Sequence, residues 1–119
     1  MSSFTYAHLY NTEDGVSHFR DVDVPLSALS ADQDASDPLV AAAMVFQRTG
    51  PDYVFNNPAP RRHFVINICG TLEIEAGDGE VRRFGPGSVF LADDTTSTGH
   101  KTRVVDGVER YSIRVHLPD

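Results

Sequence analysis

The sequence predicts an all-β domain, a sandwich or barrel of short strands, and three observations carry that prediction. Turn formers recur at short intervals through the second half: Gly50-Pro51, Pro58 and Pro60, Gly70, Gly77-Asp78-Gly79, Gly85-Pro86-Gly87, Gly99 and Asp106-Gly107. Between them apolar residues alternate with polar ones, which is the period of a half-buried strand. The length, 119 residues and 13.1 kDa, suits one domain on one core and is too short for two.

The first half is the less regular one. Residues 18–24 read as a strand, and residues 25–34 as a loop or one helical turn. Ser36-Asp37-Pro38 ahead of Leu-Val-Ala-Ala-Ala has the form of a helix start, a cap with proline in the first turn. Residues 43–48 suit a strand equally well, and periodicity does not separate the two over so short a run. From His63 onward the elements are plainer. His63-Phe-Val-Ile-Asn-Ile-Cys69 is apolar on both sides, as a strand covered on both faces would be. Leu72, Ile74 and Ala76 alternate with Thr71, Glu73 and Glu75, so a strand over 71–76 carries an acidic outer face. Gly77-Asp78-Gly79 closes it as a hairpin turn that tolerates positive φ. Further strands are expected over 81–84, 88–93, 100–105 and 110–116. In the last of these Tyr111, Ile113 and Val115 alternate with Ser112, Arg114 and His116 in the same manner as in 71–76, the apolar set as the buried face. Residues 1–119 are expected to form a single domain, 1–40 as an N-terminal arm and strand and 41–119 as its body.

Composition narrows the function classes. Apolar residues make up 40% and charged residues 23%, an ordinary globular mix. The longest apolar run, Leu39 to Phe46, is far short of a membrane span, so no membrane partner is expected. No basic start followed by an apolar stretch reads as a signal peptide. Cys69 is the only cysteine, which excludes an intramolecular disulfide and a cysteine zinc cluster, and a reducing, cytoplasmic setting is the expectation. Ten basic residues against seventeen acidic ones give a formal charge of −7. Such a surface repels a phosphate backbone, so no nucleic-acid partner is expected, whereas a small anionic ligand is compatible with it.

The piece from Arg61 to Arg103 resembles a single-domain cupin, a small jelly-roll barrel (double-stranded β-helix) of antiparallel strands. The first cupin motif runs glycine, a spacer, His-x-His, a short gap, glutamate, six residues and a glycine. Gly70 fits the last glycine, and counting back seven places His63 where the glutamate is expected. Gly85-Pro86-Gly87-Ser88 fits the turn that opens the second motif, and His100 fits its histidine after a longer spacer. More narrowly, Asp14-Gly-Val-Ser-His-Phe19, Pro60-Arg-Arg62, Arg82-Arg-Phe-Gly-Pro-Gly87 and Asp93-Asp-Thr-Thr-Ser-Thr-Gly-His100 resemble a group of short bacterial and fungal cupins. That group carries Trp-His shortly before Pro-Arg-Arg and a glutamine after it, where this chain has Asn56-Asn57 and His63. The resemblance implies an all-β cupin fold and no particular reaction, so function has to be argued from the site. It also implies a homodimer, since small barrels expose edge strands that need covering and cupins commonly pair through them. Sedimentation showing only a 13 kDa species at micromolar concentration would remove that expectation.

If His63 faces the barrel, Val65 and Asn67 follow it; if His100 does, so do Thr102 and Val104. Val89, Leu91 and Asp93 would line another wall. The product is a mostly apolar pocket for a small molecule, with His63 and His100 as catalytic residues and Tyr53, Asn57, Asn67 and Thr102 as ligand-binding ones. Metal-binding cupins offer three histidines and a carboxylate, and their His-x-His would fall at Asn56, Asn57, Pro58 and Ala59. None of these is a strong donor, so no metal and no other cofactor is expected. The alternative is a divalent transition metal held by His63 and His100, with His18 as a third ligand if the N-terminal strand crosses the mouth.

Without a metal, two histidines suggest proton transfer, one ring as base and the other as acid, with at most one proton between them at neutral pH. An isomerase, lyase or cyclase is the leading expectation. Its competitors are a metal-dependent oxygenase or isomerase, a non-catalytic module that binds a small ligand, and histidines that are only hydrogen-bonded parts of the wall. Asp93-Asp94 are expected to structure their loop, Arg61-Arg62 to pair with Glu73 and Glu75, Cys69 to be buried, and His8 and His116 to be exposed.

Overall fold

The computed structural model describes residues 3–119. Twelve strands follow in order: β1 Ser3–Asn11, β2 Ser17–Pro25, β3 Ser27–Ser30, β4 Gln33–Ala35, β5 Ala43–Thr49, β6 Val54–Asn57, β7 His63–Cys69, β8 Thr71–Glu75, β9 Val81–Phe84, β10 Val89–Ala92, β11 His100–Val105 and β12 Arg110–His116. A six-stranded sheet has the order β2-β1-β10-β7-β12-β5, and a four-stranded sheet the order β6-β11-β8-β9. β3 and β4 form a separate hairpin. All pairings are antiparallel except β1 with β10, which run parallel with Ala7 opposite Phe90 and Leu9 opposite Ala92. No helix is long and apolar enough to cross a membrane among the described residues.

The two larger sheets bury their inner faces against each other. Leu9, Phe19, Val65 and Phe90 come from one, and Leu72, Ile74, Phe84 and Val104 from the other. Phe84 lies over Phe90 with ring centroids 4.6 Å apart and over Phe19 at 6.0 Å. β1 and β2 thus supply part of the same core as the later strands. Leu9 is fully buried in it, so Leu9→Ala should cost about 2–5 kcal/mol. Urea unfolding with an unchanged slope and a lower midpoint is the expected result.

The expected strands at 63–69, 81–84, 100–105 and 110–116 coincide with β7, β9, β11 and β12, and those at 71–76 and 88–93 with β8 and β10 to within a residue at the ends. Several finer expectations are corrected. Residues 25–34 are neither loop nor helical turn, because Ser27 pairs with Ala35 and Ala28 with Asp34 in the β3–β4 hairpin. Of the two readings left open after Ser36-Asp37-Pro38, the helix is absent and the strand over 43–48 is present as β5. The Ser36 hydroxyl donates to the Asp37 carbonyl rather than capping a following amide, and residues 43–49 pair along their whole length with β12. Tertiary pairing there overrides the helix preference of the alanine run.

The faces of β10 and β12 are also reversed. Phe90 and Ala92, and not Val89 and Leu91, face the inter-sheet cavity. β10 is an interior strand covered on both sides, with a burial pattern that shows no alternation to read. On β12, Arg110 and Ser112 are buried and Tyr111 is exposed. Val115 instead joins Tyr6, Phe64, Ile66 and Val89 in an apolar groove of about 350 Å³ on the outer face of the six-stranded sheet. Cys69 is exposed rather than buried. The β7–β12 register slips at Tyr111/Ser112, taking the end of β7 out of phase with His63.

Candidate functional site

Between the sheets lies a cavity of about 130 Å³. β7 brings His63 and Val65 to it from the six-stranded sheet; β11 brings His100 and Thr102 from the four-stranded one. Both follow from the two-residue period of a strand, since His63, Val65 and Asn67 are buried while Phe64 and Ile66 turn outward. Leu72, Ile74, Phe90 and Ala92 make the apolar walls. Exposed Pro60 and half-buried Tyr53, Phe55 and Arg114 mark the solvent side.

Each imidazole is held by one ring nitrogen. His63 Nδ1 lies 2.8 Å from the Arg61 carbonyl. A carbonyl only accepts, so this bond fixes the Nδ1–H tautomer and leaves the Nε2 lone pair as the basic site. Burial lowers the His63 pKa below its usual 6.5, and the nearby Arg114, His116 and Arg61 charges push the same way against the favourable carbonyl bond. The ring is therefore neutral at neutral pH. His100 Nδ1 lies 2.6 Å from Asp94 Oδ2, again directing Nε2 elsewhere. Phe55 packs beside that ring with centroids 5.5 Å apart.

Asp94 does more than shape its loop. It is fully buried. One carboxylate oxygen accepts from the Ala59 amide at 3.1 Å, and the other from the Ser97 hydroxyl at 3.0 Å and from His100. It ties the loop before β11 to the segment before β7, and it orients His100. An Asp six residues before the histidine, at the head of a Thr/Ser/Gly loop, was the available signal for this pair.

Of the expected site residues, His63, His100, Tyr53 and Thr102 meet around one cavity, and Asn57 and Asn67 do not line it. Asn57 is exposed at the end of β6, where Pro58 terminates the strand and alternation lapses. Asn67 is fully buried but spent. Its Nδ2 donates to the Gly70 carbonyl at 2.7 Å and the Phe84 carbonyl at 3.3 Å, and its Oδ1 accepts from Arg110 Nε at 2.7 Å. Asn67 is a positioning residue for Arg110, which, with Arg114, is the part of the cavity that the sequence reading missed. Arg110, Ser112 and Arg114 are two apart on one strand face, and that spacing was its only signal.

Gly70 keeps Arg110 in place. Its φ is +80°, and a Cβ there would lie 2.9 Å from Arg110 Cα and 3.0 Å from the Glu109 carbonyl oxygen. Gly70→Ala should lose at least about 1–3 kcal/mol, since the left-handed backbone alone costs that much. Chemical denaturation checks it; an unchanged midpoint would show that the turn relaxes freely.

The remaining expectations are placed elsewhere. Arg62 pairs with Asp93 at 3.4 Å and Arg61 approaches His116, while Glu73 is taken by Arg83 and Arg103. The arginine pair therefore does not cover Glu73 and Glu75: it precedes β7 on the six-stranded sheet, whereas both glutamates belong to β8. His8 is buried rather than exposed, accepting from Arg20 Nε at 2.9 Å and facing Asp93 at 2.8 Å. His18 pairs with Asp78 at 2.9 Å and does not line the cavity. A divalent metal fits these residues poorly. His63 and His100 offer two Nε2 atoms, and no three His, Cys, Asp or Glu side chains converge as a metal site among the described residues. Compared with protein-family models and with curated proteins, the chain matches none of them, so the functional argument rests on the side chains of the cavity.

Proposed function

We propose that this protein is a small-molecule enzyme of the cupin jelly-roll type, catalysing a metal-independent acid–base reaction: isomerisation, elimination or cyclisation beside a carbonyl group. The observation that carries this reading is the pair of histidines on facing sheets, each with Nδ1 committed and Nε2 left over, around one small apolar cavity. His63 is the base. Its Nε2 takes a proton from the carbon next to the carbonyl, the C–H electron pair moves into an enolate, and the ring becomes imidazolium. For the return step His100 has to enter with a proton on each ring nitrogen, Nδ1–H on Asp94 and Nε2–H toward the cavity. It delivers the Nε2 proton to the oxygen or to the neighbouring carbon and is left neutral. Neither step needs an oxidant or a reductant. The fold assignment draws support from two sheets that share a core and enclose the cavity between them.

The test is proton exchange. The protein is incubated in D₂O with a panel of small aldehydes, ketones and oxo acids, and NMR follows deuterium at the carbon beside the carbonyl. Exchange by the wild type and none by a His63→Gln/His100→Gln double variant is the expected result. No exchange across the panel, or full exchange by the double variant, would overturn the reading. Elemental analysis of the active protein runs alongside, and activity that tracks a bound transition metal would overturn its metal-independent part.

A further inference from the structure

Arg110 is 5% exposed, yet no carboxylate among the described residues forms an ion pair with it. Its Nε donates to the neutral amide oxygen of Asn67, and Nη2 is buried with no hydrogen-bond partner among the described residues. Arg114, two positions further along the same strand face, lines the same cavity, and no Asp or Glu does so among the described residues. A buried guanidinium without a counter-charge is costly, and a second cation nearby adds to the cost. Burial, and then the Arg114 charge, draw the Arg110 pKa down to about 10, which still leaves the group cationic at neutral pH. Asn67, itself anchored on two carbonyls, holds this cation where no acidic side chain among the described residues pairs with it.

We infer that Arg110 and Arg114 form an anion subsite, and that the molecule this cavity takes is a small carboxylic acid. The inference deepens the acid–base reading and rests on it for the identity of the reacting carbon. With Nε committed to Asn67 and Nη2 closed off from solvent, Arg110 offers an anion in the cavity its uncompensated charge, and half-buried Arg114 is the guanidinium open to direct contact. A cavity of about 130 Å³ is slightly smaller than a cavity of about 150 Å³ that admits benzene. It therefore encloses on the order of five or six non-hydrogen atoms, about a three-carbon oxo acid, and a fourth carbon would extend toward the solvent side at Pro60 and Tyr53. Arg114 lines the same cavity as His63, so its charge favours an anion formed there.

The experiment measures binding without turnover. Wild type, His63→Gln, Arg110→Met and Arg114→Gln are titrated by calorimetry with 2-oxobutanoate, its methyl ester and inorganic phosphate, and each variant is melted. The expected result is that the acid binds wild type and His63→Gln, and that the ester and phosphate bind at least about tenfold more weakly. Arg110→Met and Arg114→Gln should each weaken the acid by about ten- to a hundredfold, as loss of a charge-assisted pair does. Arg110→Met should change the melting temperature little, because relief of the buried charge is offset by the Asn67 acceptor it leaves unpaired. An ester that binds as well as the acid, phosphate that binds more tightly, or unchanged acid affinity in both arginine variants would overturn the subsite. If Arg110→Met does not fold, Arg114→Gln alone decides. Acid binding without deuterium exchange would sink the catalytic reading and leave the subsite standing; exchange without preference for the acid would do the reverse.

Discussion

Asp94→Ala should be the most destabilising single substitution at the site, costing about 3–5 kcal/mol. Its carboxylate is fully buried and accepts three hydrogen bonds, from the Ala59 amide, the Ser97 hydroxyl and His100 Nδ1. Truncation strands three donors at once, and each buried donor left without an acceptor forfeits about 1–3 kcal/mol. The three belong to different segments, so the loop ahead of β11 also loses its tie to the segment ahead of β7. Asp94→Asn separates the parts of this effect. Its amide oxygen can still accept from Ala59, but its NH₂ group meets two donors, Ser97 Oγ–H and His100 Nδ1–H. Either the His100 ring turns to its other tautomer or one donor goes unpaired. The Asn variant should therefore be less destabilised than Ala while losing most of any turnover, because His100 is misdirected; an orienting Asp in the serine-protease triad is worth about 10⁴ in kcat by the same logic. Urea unfolding of both variants, with NMR of the His100 ring nitrogens, checks the order. Equal stability of Asp94→Ala and wild type would show that the loop holds without its anchor.

Much of the scaffold was legible because its rules are local. Alternation and glycine turns set the strands from 63 to 116, and the same period put His63 with Val65 and His100 with Thr102. What escaped depends on pairing. Ala43–Thr49 is a strand because β12 lies beside it, and its own sequence left strand and helix equally open. The inward face of β12 was misread since Tyr111, Ile113 and Val115 look like a core stripe. In the structure the six-stranded sheet has apolar groups on both sides, and the polar stripe of Arg110, Ser112 and Arg114 turns inward. Binary patterning assigns a charged stripe to solvent, and it fails where charge is buried for a purpose. Asn67 was placed on the correct face, but its hydrogen bonds go to groups on β9, β12 and the Gly70 turn, which are distant in sequence or follow a bend.

His63→Gln should lower the rate of proton exchange by at least about a hundredfold, the lower end of what general acid–base catalysis contributes. Glutamine can still hydrogen-bond to the Arg61 carbonyl, so the fold survives, but it has no nitrogen lone pair to take a proton. The pH dependence gives this prediction its sign. The folded-state pKa of His63 lies below the ordinary 6.5 because burial, and then the nearby cations, disfavour the imidazolium. The base is therefore competent down to a pH below 6.5, and the acid limb of the wild-type rate should fall there. Stability carries the same signature. Between the unfolded and the folded pKa the unfolded chain binds more protons, so His63 contributes its full stability above about pH 6.5 and loses it as pH falls through the lowered value. His63→Gln removes that proton linkage. Its unfolding free energy should decline less than that of wild type between pH 7.5 and pH 5, a comparison that requires no substrate. Parallel declines in the two proteins would mean that His63 is solvated and ordinary, and a variant that keeps full exchange activity would make it a packing residue and deprive the cavity of its base.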